Sequence, residues 1–284
     1  MEKDPSELVL AGELDSYPGD PNLDVCPTRA VVWNRDGTAV AITDNCIGCG
    51  LCVARCPYGA IHLAGGEIAR VETADPDRLV TRGRTEGAHP EPTRTGALAA
   101  LDAPAATELP AAVSTLQDAR AALLVRNLLH EVGVNARVRR RGDTNMRIDA
   151  VGQSRNGRPF VAEIELTPAV LESPRALLED VAVLHSRYGF SVTDIDPLSV
   201  VLVLPNVRSE YYRVIRDIER VLNVRCRTIT LGALVALLWT GTRLDGFQNA
   251  AFAVGDSGVD LEAGLGIPRA LLREPYAGAF RPAG

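Results

Sequence analysis

Five of the six cysteines fall between positions 26 and 56, and four of them form the run Cys46-Ile47-Gly48-Cys49-Gly50-Leu51-Cys52-Val53-Ala54-Arg55-Cys56-Pro57. This is the C-x₂-C-x₂-C-x₃-C-P spacing. Thiolates three residues apart in a loop can wrap one side of an iron–sulfur cube, and Gly48 and Gly50 let the backbone turn tightly enough to aim N–H groups at the sulfurs. Zinc sites draw instead on separated Cys or His pairs, so zinc, like free thiols, is the lesser alternative. A fourth thiolate must close the site. The run as a local string allows Cys56, and Cys26 is the other choice.

Beyond the run, the segment repeats itself. Cys26-Pro27-Thr28-Arg29-Ala30-Val31 matches Cys56-Pro57-Tyr58-Gly59-Ala60-Ile61, each followed by a turn signal, Asp36-Gly37 and then Gly65-Gly66. With this duplication, residues 1–70 resemble a bacterial two-cluster ferredoxin, which implies an α+β ferredoxin-like N-terminal domain. In that family the last cysteine of each run ligates the other cluster. The resemblance therefore implies that Cys26 completes a [4Fe–4S] site with Cys46, Cys49 and Cys52. The equivalent first-run positions hold Ser16, Gly19 and Asn22, so one cluster is expected, and Cys56 becomes a small buried residue.

Residues 71–112 are rich in Pro, Thr, Ala, Gly and charge and read as a flexible linker. Patterning resumes at Ser114, which with Gln117 makes a capping box for a helix carrying Leu116, Leu123, Leu124, Leu128 and Val132. Strands are expected over 134–141, 145–151 and 159–166. A helix from Ser173 to about Tyr188 follows, with Pro174 in its first turn. Then come a buried strand at Val200-Val201-Leu202-Val203-Leu204, a helix striped by Val207, Tyr211, Val214, Ile215, Ile218, Val221 and Leu222, a short strand over 225–230 and an apolar helix over 231–240. Residues 243–284 form a weakly patterned tail. The order predicts an α/β domain over 113–242, a mixed sheet flanked by helices.

Within the expected strands, Asp149, Glu163 and Glu165 are acids among apolar neighbours, where burial is costly unless compensated. Glu163 and Glu165 share one strand face, and a hairpin can bring Asp149 beside them. Three such carboxylates suit Mg²⁺ or Mn²⁺; surface acids on an edge strand are the plain alternative. With the element order, this pattern resembles the PD-(D/E)xK, restriction-endonuclease-like superfamily over residues 114–240. The resemblance implies that Asp149 and Glu163 hold the metal and that Glu165 stands where the family has a catalytic lysine. Lys3 is the only lysine in the chain. Arg137, Arg139, Arg140, Arg141 and Arg147 form a basic group that either grips phosphates or is a solvated strand face. Cys226 reads as a buried thiol, and His130 as a favourable charge at a helix C-terminus.

The net charge of −6 gives no general attraction to nucleic acid or to an anionic membrane. The acidic start lacks the form of a secretory signal, and the apolar stretch Leu231 to Trp239 is shorter than the roughly 20 residues of a membrane helix. A cytoplasmic protein that contacts no membrane is expected. Three functions follow: a metal-dependent DNA-processing enzyme with an iron–sulfur module, an electron carrier whose C-terminal domain docks a redox partner protein, or a redox-sensing protein that binds nucleic acid without cutting it.

Overall fold

The computed structural model describes residues 14–15, 26–33, 40–55, 61–64, 68–71, 111–116, 118–139, 147–154, 157–167, 170–206, 208–240 and 242–244. Most of the expected linker and nearly all of the expected tail lie outside these residues, as do Cys56 and Arg140 and Arg141 of the basic group.

The repeated N-terminal motif folds as two antiparallel hairpins. In the first, β2 (Val31–Trp33) pairs with β3 (Val40–Ile42), and in the second β4 (Ile61–Ala64) pairs with β5 (Ile68–Val71). Val31 faces Ile42 and its repeat partner Ile61 faces Val71, so the second hairpin has the shorter connection. The short helix α1 (Leu51–Arg55) begins inside the cysteine run. Strand β1 (Leu14–Asp15) precedes all of these, yet it pairs antiparallel with β6 (Asn135–Arg139), far along the chain.

The larger unit is a mixed sheet in the order β1-β6-β7-β8-β9-β10, with β7 (Ala150–Gln153), β8 (Pro159–Glu165), β9 (Asp196–Val201) and β10 (Arg227–Thr230). Pairing is antiparallel as far as β8 and parallel from β8 to β10. Short turns can join the antiparallel strands, whereas each parallel pair needs a crossover. Helix α3 (Ser173–Tyr188) supplies the first and α4 (Tyr211–Leu222) the second. Helix α2 (Asp118–Glu131) precedes β6, and α5 (Leu231–Thr240) follows β10 directly. The chain is thus an α/β fold with a mixed sheet between helices, as the periodicity predicts.

Alternation along the strands divides the core. Phe160 and Ala162 of β8 pack with Leu124, Leu128, Leu234 and Leu237 of α2 and α5. Val161 packs on the other face with Leu177, Val181, Tyr211 and Ile215 of α3 and α4. Cys49, Leu51 and Ala54 belong to the α2/α5 core, so the cysteine segment is built into one face of the sheet.

Three local expectations are corrected. The Ser114 hydroxyl donates to Ala111 O at 2.7 Å instead of capping a helix, and α2 starts at Asp118. The strand expected over 145–151 runs from Ala150 to Gln153, because the chain bends at Asp149 and the Asp149 carboxylate accepts the Ile164 N–H at 3.1 Å. The strand expected at 200–204 begins earlier, at Asp196, and ends at Val201. Asp196 is tolerated in that buried strand because Arg158 Nε and Arg227 donate to its two oxygens at 3.0 and 2.9 Å.

Candidate metal centre

The site is assembled from two turns and the start of a helix. Residues 26–29 close a turn in which Arg29 N–H donates to Cys26 O, and Arg29 adopts φ 57. That left-handed residue swings the next amide back, so Ala30 N–H donates to Cys26 Sγ at 3.2 Å. Thr28 Oγ1 lies 3.4 Å from the same sulfur. Thr43 N–H donates to Ala30 O at 2.9 Å, and Cys46 N–H to Thr43 O at 3.1 Å, which fixes the first turn against the start of the cysteine run. Gly48 and Gly50 then take φ 67 and 80, a conformation that costs an L side chain about 1–2 kcal/mol. Both are buried, and the chain passes directly into α1.

This path makes Cys26, Cys46, Cys49 and Cys52 line one cavity, whose remaining wall includes Ala30, Val31, Ile42, Ile47 and Leu51. Burial pushes the Cys49 thiol up to about 12; the Leu51 N–H opposes this, and Cys26 and Cys46 add to it. Cys52 is also raised, first by burial and then by Cys49, Cys46 and Cys26, against the Val53 N–H. Cys49 and Cys52 so placed resist ionising unless positive charge sits beside them. Ferric and ferrous ions supply that charge, and the inward N–H groups of Ala30, Leu51 and Val53 offset what remains. The donor set therefore fits an iron–sulfur cube. Among the described residues, no three Cys, His, Asp or Glu side chains converge closely enough to hold a single metal ion.

Cys226 is buried in the α3/α4 core, where burial raises its thiol to about 12. His130 lies in the last turn of α2, as expected.

The register of β7 on β8 brings Asp149 beside Glu163, whereas Glu165 is engaged elsewhere. Glu163 and Glu165 follow Val161 on the α3 face of β8. However, Glu165 Oε1 accepts from the Thr167 N–H at 3.0 Å and from its hydroxyl. Asp149 and Glu163 associate instead with Asp180 of α3, which sequence reading missed. Asp180 is 2% exposed. Its carboxyl is raised to about 7, first by burial and then by the Asp149 charge, against a hydrogen bond with Glu163 that pulls it down. The signal was available: Asp180 is three residues after Leu177 and one before Val181, on the buried stripe of α3. Among the described residues, no three of these acids are grouped closely enough to mark a site for Mg²⁺ or Mn²⁺. Of the basic group, Arg147 pairs with Glu179 at 2.7 Å, and Arg137 is part-buried on β6, where burial lowers its pKa.

No helix among the described residues is long and apolar enough to cross a membrane. No solved structure matches the chain.

Residues 16–66 match the family described as the LdpA Fe-S cluster-binding domain. A probable iron–sulfur subunit encoded in the frd operon of Proteus vulgaris is 41% identical over 54 residues, 19% of this chain and 34% of that protein. One of the chains of the polysulfide reductase of Wolinella succinogenes is 48% identical over 43 residues, 15% of this chain and 22% of that one. An uncharacterised ferredoxin of Methanocaldococcus jannaschii is 49% identical over 41 residues, 14% of this chain and 24% of its own length. The chain spans about a third or less of each of these relatives, and every match is short. Together with the four thiols that line one cavity, the matches make the N-terminal segment an iron–sulfur-binding unit of ferredoxin type.

Proposed function

We propose that this chain is an electron carrier holding one [4Fe–4S] cluster on Cys26, Cys46, Cys49 and Cys52. The observation that carries the reading is the shared cavity of these four thiols, reached from two separate segments with amide N–H groups turned toward the sulfurs. When bound, the cluster takes up and gives back one electron at a time. The chain's own part is to bind it, to shield Cys49 and to set its potential through hydrogen bonds and burial. Relatives named as an iron–sulfur subunit and as components of reductases favour a redox partner protein. The α/β domain then serves as scaffold and docking body, in a cytoplasmic setting.

The test is iron and sulfide content with electron paramagnetic resonance on anaerobically purified protein. Wild type and Cys56→Ser should each carry about four irons, and Cys26→Ser should lose the cluster. A cluster kept in Cys26→Ser and lost in Cys56→Ser would overturn the ligand set.

A second reading has the α/β domain bind or cleave DNA with Mg²⁺ or Mn²⁺. It draws on the strand and helix order and on the adjacency of Asp149 and Glu163 in neighbouring strands. Loss of metal-dependent DNA cleavage in Asp149→Ala and Glu163→Ala would support it, and absence of both DNA binding and cleavage in the wild type would exclude it.

A further inference from the structure

The Cys26 sulfur sits between two donors of its own turn. It has a backbone donor four residues on, Ala30 N–H at 3.2 Å, and a side-chain hydroxyl two residues on, Thr28 Oγ1 at 3.4 Å. In a free thiol either partner of the Thr28 contact can donate. A sulfur bound to iron is a thiolate with no proton left, so the hydroxyl must be the donor there. The turn fixes this geometry. Arg29 N–H closes on Cys26 O, and the left-handed Arg29 holds Thr28 and Ala30 on the sulfur side. Thr28 itself lines the cavity. The repeat partner of Thr28 is Tyr58, whose hydroxyl sits on a ring and cannot make the same two-residue reach.

We propose that Thr28 is a positioning residue that sets the reduction potential of the cluster by donating its hydroxyl to the Cys26 thiolate. Reduction adds one electron to a centre whose charge is shared with its four sulfurs. A donor at one sulfur draws density from it and stabilises the reduced state more than the oxidised one, which raises the potential. The effect falls on the iron held by Cys26, the ligand contributed by the other half of the duplicated motif. The inference rests on the ligand set given above.

The test is midpoint potential by spectroelectrochemistry on the full-length, anaerobically prepared protein, with iron content measured for each variant. Thr28→Val keeps the shape and removes the donor, so its potential should fall below that of wild type with iron content unchanged. Thr28→Ala should fall likewise, and Thr28→Ser should return toward wild type. An unchanged potential in fully loaded Thr28→Val and Thr28→Ala would overturn the role. Loss of the cluster in both, with retention in Thr28→Ser, would make the hydroxyl a requirement for assembly and would also overturn it. Failure of the ligand set shows separately, as a cluster that survives Cys26→Ser.

Discussion

Ala30 points its N–H at the sulfur of Cys26, four residues back, and the residue between that amide and Thr28 is a left-handed arginine. Arg29 therefore bears a conformational cost that its repeat partner, Gly59, would avoid. Arg29→Gly should gain up to about 1 kcal/mol, the relief of left-handed strain less the entropy of glycine. Arg29→Val should lose about 1–2 kcal/mol and weaken cluster retention, because a branched side chain is worse still at positive φ. Thermal melts of cluster-loaded protein give the order, and a valine variant as stable as the glycine one would refute it.

Leu51 is 1% exposed and lies in the same core as Leu124 and Leu128 of α2. Leu51→Ala should cost about 2–4 kcal/mol. The loss should not be confined to the cysteine segment. Hydrogen exchange in α2 should accelerate, and exchange that changes only around residues 46–55 would show that the two parts are not packed as described.

Asp180 keeps its proton in the fold at pH values where the unfolded chain has released it. The native state thus binds more protons than the unfolded state from about pH 4 to about 7, and stability should fall as pH rises through that window. Burial is the main cause; Asp149 and Glu179 add like charge, whereas the hydrogen bond with Glu163 and the charge of Arg147 oppose it. At about 1.4 kcal/mol for each pH unit, the cost is at most about 4 kcal/mol. Asp180→Asn mimics the protonated form, so it should flatten the dependence and melt no lower than wild type at pH 8. Denaturant titrations across pH 4–8 decide this, and a variant that keeps the wild-type slope would assign the effect elsewhere.

Asp196 holds two arginines of unequal exposure. Arg227 has 12% of its side chain exposed and Arg158 has 42%. Removing the carboxylate leaves Arg227 charged without its partner in the fold, so Asp196→Ala should cost about 3–5 kcal/mol. Arg158→Ala should cost no more than about 1 kcal/mol, because water already screens that pair. Chemical denaturation measures both, and equal losses would contradict the geometry.

The residues that made the fold legible are those with a local start signal or a continuous apolar run. Ser173 with Pro174 marks the start of α3, and the apolar run from Phe160 marks β8; both elements stand where the sequence places them. The stripe expected on α4 extends too far. Val221 and Leu222 are 75% and 52% exposed, so the buried face ends at Ile218. Side-chain substitutions for backbone bonds were not legible. Asp149 takes up the Ile164 N–H and shortens β7, and nothing in its neighbours distinguishes that task from metal binding. The two arginines that compensate Asp196 lie far from it in sequence, one just before β8 and one at the start of β10, and so the start of β9 was invisible to local reading. For the cysteine segment, spacing identified the run, whereas the hydroxyl of Thr28 gained meaning only from the curl of its turn.

The pairing of β1 with β6 also orders events during synthesis. A ribosome releases the cysteine loops well before it has made β6, α2 or α5, so the thiols wait in a half-built protein with Leu51 and Ala54 still facing water. Burial of that apolar surface therefore waits for a segment made more than sixty residues later.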